Sequence, residues 1–118
     1  MNKSRISQTI IKEYAKYTQD VKKHPEYILS YSKFSNCIHD VEPFWEYIVK
    51  LQYTNGGAHM VIVFDNGNSA SIINNFNTNY KWKLLSPSIK NDDCLLEHLS
   101  LREITNYLYD IKMGNIVV

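Results

Sequence analysis

Apolar residues near the start of the chain recur at steps of three and four. Ile6, Ile10, Ile11, Tyr14, Tyr17 and Val21 share one helical stripe, with Lys12, Lys16, Lys22 and Lys23 mostly off it. The pattern predicts an amphipathic helix that starts near Ser4 or Ser7, either of which can cap free backbone N–H groups. It should stop near His24, because Pro25 disfavours helical geometry in the residue before it. Pro25 then suits the first turn of a second helix, carrying Tyr27, Ile28, Tyr31 and Phe34 on one side and fading around Asn36.

From Phe44 to Tyr53 the period changes to two. Trp45, Tyr47, Val49, Leu51 and Tyr53 alternate with Glu46, Ile48, Lys50 and Gln52, which predicts a strand. A short helix starting at Pro43 is the rival reading, and the β-branched and aromatic content favours the strand. Asn55-Gly56 supplies a hairpin signal, since both central residues of a type I′ turn need positive φ. His59 to Phe64, the turn Asp65-Asn66-Gly67-Asn68 and Ser69 to Asn74 read as a second hairpin. Asn74 to Asn79 is turn-rich and reads as an exposed loop with Phe76 its one large apolar group. Tyr80 to Leu85 reads as a fourth strand, closed by Pro87.

The C-terminal signal is local and specific. Ser100-Leu101-Arg102-Glu103 fits a capping box, Leu101, Ile104, Leu108 and Ile111 form the buried stripe of the helix it opens, and Gly114 is placed to end that helix. The expected fold class is therefore α+β: a four-stranded antiparallel meander packed with N-terminal helices and a C-terminal helix. One domain should cover 1–118, with a helical part over 1–40, the sheet over 44–85 and the last helix over 100–113.

Composition supports a folded core. The chain has 118 residues, 44% hydrophobic and 21% charged, far from the signature of disorder. No window approaches the roughly 20 apolar residues that span a bilayer. Met1 to Arg5 leads into a polar amphipathic stretch, unlike the apolar region of a secretory signal, so the expected address is the cytoplasm, with no membrane partner. Two cysteines, Cys37 and Cys94, are too few for a disulfide scaffold and read as reduced thiols. Net charge is +1 but uneven. Through Lys33 seven cations face three anions, a local +4 that leaves −3 for the remainder.

Candidate chemistry is sparse. Cys37 and His39 with Cys94 and His98 offer a zinc-type donor set, but neither pair has zinc-finger spacing, and buried thiols with surface histidines is the plainer reading. No Gly-x-Ser-x-Gly elbow is present, and the four glycines are accounted for by turns and a cap, which leaves no phosphate cradle. Asp92-Asp93 reads as a turn or a solvated acidic spot. No catalytic residue, metal or cofactor is therefore expected. The cations Lys3, Arg5, Lys12, Lys16, Lys22 and Lys23 could track phosphates, or could simply form a solvated helix face. Nine Tyr, four Phe and two Trp exceed what a small core readily hides. Tyr53, Phe76 and Tyr80, beside turns, are candidates for a protein interface, and Asp92 and Asp93 join them as exposed anions.

The run Val63-Phe64-Asp65-Asn66-Gly67-Asn68-Ser69-Ala70-Ser71-Ile72-Ile73 resembles the opening hairpin of a small bacteriophage and prophage protein family. Trp82-Lys83-Leu84-Leu85 is similar to that family's Trp-Glu-Leu-Ala strand. Asp92-Asp93, Leu95, Leu99 and the Ser100 to Met113 helix are similar to its Asp-Asp-Val-Leu segment and closing helix. The likeness covers about half the chain, Met60 to Met113. Asp65 stands where the family tends to have proline and Asn68 where an aromatic is common. The family is essentially uncharacterised, so the resemblance implies a mobile-element origin and carries over no site residues. The expected function is accordingly a non-catalytic accessory protein that binds and inhibits a host protein, such as a defence nuclease, in the manner of anti-CRISPR proteins. A nucleic-acid-binding regulator using the basic helix and an immunity protein against a cognate toxin are the alternatives.

Overall fold

The computed structural model describes residues 3–28 and 34–117, Lys3 and Ser4 by backbone alone. The expected roles of Ser4 as a cap, of the Lys3 side chain, and of Tyr31 and Lys33 lie outside the described residues.

The first helix, α1, spans Lys3–Lys23. It buries Ile6 and Tyr17 completely or nearly so, while Ile11 and Tyr14, expected on the same stripe, are 73% and 44% exposed. The contact with the sheet is narrower than the apolar stripe, and Glu13 takes the place beside Tyr17 instead. Its burial is compensated by Lys16, whose Nζ lies 2.8 Å from the carboxylate.

Pro25 does not open a second α-helix. It starts a 3₁₀ turn, Pro25–Tyr27, and the second helix, α2, spans Phe34–Asp40, passing beyond the expected end at Asn36. A further 3₁₀ helix, Glu42–Tyr47, precedes the first strand, so β1 runs Ile48–Thr54 and the two readings of this segment divide it between them. Tertiary contacts override the period of two here. Phe44 is fully buried against Phe64 and Tyr109, and the Trp45 indole N–H donates to the Ile38 carbonyl at 2.8 Å.

The strands β2 (Gly57–Val63), β3 (Ser69–Asn74), β4 (Trp82–Leu85) and β5 (Leu95–Leu99) complete an antiparallel sheet ordered β1-β2-β3-β4-β5. The sheet thus has five strands, one more than expected. In β5 a register shift opposite Trp82–Leu84 and a left-handed His98, φ 59°, break the alternation that would announce a strand. The Asn55-Gly56 hairpin forms with both residues at positive φ, 41° and 83°, and Thr54 opposite Gly57. The loop after β3 contains a 3₁₀ turn, Phe76–Thr78, held by a capping box between Asn75 and Thr78. Phe76 is exposed as expected, yet Asn74 and Asn75 are buried.

The last helix, α3, spans Leu101–Lys112 and starts with the expected capping box: Ser100 Oγ accepts from the Glu103 N–H and the Glu103 carboxylate accepts from the Ser100 N–H. Ile104, Leu108 and Ile111 are buried, whereas Leu101 is 41% exposed. Gly114 follows in the left-handed region, φ 81°. Asn66 Nδ2 and Asn68 Nδ2, from the β2–β3 loop, donate to the carbonyls of Ile111 and Lys112 at the C-terminal end of α3. These loop asparagines add to the Gly114 N–H that already reaches the Ile111 carbonyl, and supply the Lys112 carbonyl with a donor from outside the helix.

α1, α2 and α3 all pack on the same face of the sheet. Leu51, Met60, Ile62, Ala70, Ile72 and Leu84 line that face and join the helices in one core. The α+β arrangement holds as expected, with one strand more in the sheet.

Candidate functional site

One-sided packing leaves the other face of the sheet open. Register places Lys50, Gln52, His59, Val61, Ser71, Ile73, Lys83, Leu85 and Leu95 on that face, because their cross-strand partners alternate with the buried set. Val63 and Leu85 are 39% and 49% exposed there. His59, Ser71, Ile73, Lys83, Leu85 and Leu95 line a shallow concavity of about 270 Å³. A central polar pair sits in it, His59 Nε2 lying 2.7 Å from Ser71 Oγ. Burial, helped by Lys50, pulls the His59 pKa below its ordinary value and so favours the neutral ring at pH 7. A serine beside a neutral imidazole is the start of a nucleophilic dyad, but acyl transfer also needs donors aimed at an oxyanion. The backbone here is committed to the β1–β2–β3 ladders. What the arrangement offers is a mixed surface, aliphatic toward Val61, Val63 and Leu85 and polar toward Lys50, His59 and Lys83. At the rim Lys83 Nζ lies 3.8 Å from the Glu97 carboxylate. Sequence patterning indicated where each strand faces, but it could not say which face the helices would leave uncovered.

The sequence-derived interface residues divide between the two ends of the sheet. Tyr53, Phe76 and Tyr80 come together at the end that holds the β1–β2 turn. Phe76 packs between Tyr27 and Tyr80, with ring centroids 5.3 and 6.3 Å away, and is itself 46% exposed. Tyr53 is half-buried and its hydroxyl is engaged: it donates to Asp20 at 2.5 Å and accepts from the Gly56 N–H at 2.9 Å. Burial and the Asp20 carboxylate push its pKa well above the tyrosine norm. Asp92 and Asp93 are exposed in the β4–β5 connection, which the antiparallel topology puts at the opposite end of the sheet.

The basic residues Arg5, Lys12, Lys16, Lys22 and Lys23 are all exposed on α1. The thiols and imidazoles do not converge. Cys37 is buried, its Sγ directed at Asn74 Oδ1 at 3.4 Å, and burial raises its pKa to about 12. His39 packs on Trp45, while Cys94 and His98 lie on the β4–β5 side. Among the described residues no three His, Cys, Asp or Glu side chains gather as a metal site. Nor is any described helix long and apolar enough to cross a membrane.

Compared with protein-family models, with curated proteins and with solved structures, the chain matches none of them.

Proposed function

We propose that this chain is a non-catalytic binding module that docks a protein partner on the open face of its sheet. The observation that carries this reading is the placement of every described helix on one side, which leaves Val63 and Leu85 in water on a face that holds a concavity with a polar centre. Exposed apolar surface with a few placed polar groups within it is typical of recognition sites. The resemblance of the Val63–Ile73 hairpin to phage and prophage proteins makes the partner a host protein, such as a defence nuclease, and the module its inhibitor in the cytoplasm of a bacterial host.

Affinity capture from a phage-bearing host tests this with two baits, the natural chain and an Ile73→Lys, Leu85→Lys variant. A host nuclease retained by the first, lost by the second and inhibited by the purified natural chain is the expected result. A nuclease bound equally by both baits would move the interface elsewhere. If purified chain leaves the activity of every captured enzyme unchanged, inhibition is refuted.

A further inference from the structure

A different surface, the exposed flank of α1, carries a row of cations. Arg5, Lys12, Lys16 and Lys23 recur at steps of seven, four and seven residues, which at 3.6 residues per turn returns them to one line. The 1.5 Å rise spreads this line over about 27 Å. Both carboxylates of α1 are withdrawn from it. Glu13 is 6% exposed beneath Lys16, and Asp20 accepts the Tyr53 hydroxyl. Among the described side chains of α1, every exposed charged group is therefore a cation, and the uncharged exposed positions between them include Gln8, Ala15 and Gln19. Lys16, Gln19 and Lys23 also edge a polar hollow of about 270 Å³, whose inner wall is Tyr53 and the Asp20 carboxylate that holds the Tyr53 hydroxyl.

We propose that this flank of α1 binds the phosphate backbone of duplex nucleic acid. An acidic protein would share the sign of charge. A straight row of cations and amides, with the two α1 carboxylates turned aside against Lys16 and Tyr53, matches the regular line of phosphates along a duplex edge. A duplex is favoured over a single strand because single-strand binders stack bases on exposed aromatic rings. The exposed aromatic of α1, Tyr14, packs its ring against Tyr17 and Phe34, and none of the described strands turns a Phe, Tyr or Trp to the open face.

The test is fluorescence anisotropy of a labelled 20-base-pair DNA duplex titrated with the full chain between 20 and 200 mM salt. Binding is expected at low salt, with log affinity falling against log salt by about 0.9 for each phosphate neutralised. Lys12→Glu with Lys23→Glu should weaken binding at least tenfold and flatten that slope by about two, while Lys90→Glu in the β4–β5 connection leaves both unchanged. Lys16 is kept, because its loss would strand the buried Glu13 carboxylate, and circular dichroism confirms that each variant is folded. No binding at 20 mM salt, or equal weakening by Lys90→Glu, overturns the proposal. So does a polyglutamate peptide that displaces the chain as well as unlabelled duplex, which would assign the flank to an acidic protein.

Discussion

Two residues show how much a single side chain decides in this protein. Gly57, at the start of β2, lies so near the neighbouring strand that an added Cβ would fall 1.8 Å from the Asn74 carbonyl oxygen. Gly67 has open space around it, but a left-handed backbone, φ 84°. Gly67→Ala should cost about 1–2 kcal/mol from backbone conformation alone. Gly57→Ala should cost more, because the clash is with backbone that belongs to the sheet ladder, and urea unfolding of the pair checks the order. Cys37 offers a chemical readout. Its folded pKa, about 12, stands above the ordinary thiol value of 9.0, so the stability it contributes is complete below pH 9 and is lost as pH rises toward 12. Three units correspond to about 4 kcal/mol. Cys37→Ala should flatten that alkaline decline. In the natural chain a thiol reagent at pH 8 should modify Cys94 quickly and Cys37 only on unfolding.

At the scale of elements, the two faces of a strand are the test of the packing. Leu84 is fully buried and its neighbour Leu85 is 49% exposed. Leu84→Ala should cost about 2–5 kcal/mol as transfer and cavity terms add. Leu85→Ala should cost about 0.5 kcal/mol, and chemical denaturation of the two variants separates them. Elements whose signal is local were legible from the residues alone. The Asn55-Gly56 turn needs two positive φ angles, and the Ser100–Glu103 box closes within one turn of helix, so the signal of each lies in adjacent residues, although the Phe76 N–H also donates to the Asn55 carbonyl. The segments misjudged are those settled by partners far away in sequence. Phe44 and Trp45 leave the strand pattern to reach Phe64, Tyr109 and Ile38, and β5 exists because β4 offers it an edge. The candidate surface was hidden for the same reason. Alternation marks two faces of a sheet, but only the assembled helices choose which of them is covered.

For the whole molecule, the open face predicts a protein that tolerates charge where a two-sided fold would not. Val63→Lys with Leu85→Lys should leave the free energy of unfolding within about 0.5 kcal/mol, while shortening retention on a hydrophobic-interaction column. A loss of several kcal/mol would mean that this face is packed in solution.

The β2–β3 loop and the C-terminal end of α3 are tied by three hydrogen bonds, donated by the side-chain amides of Asn66 and Asn68 across more than 40 residues of chain. Opening either partner exposes polar groups of both, so hairpin and helix should open together as one cooperative unit. In amide exchange, the carboxyl-terminal turn of the helix would then share the protection of the middle of the sheet, where a frayed tail would otherwise be found.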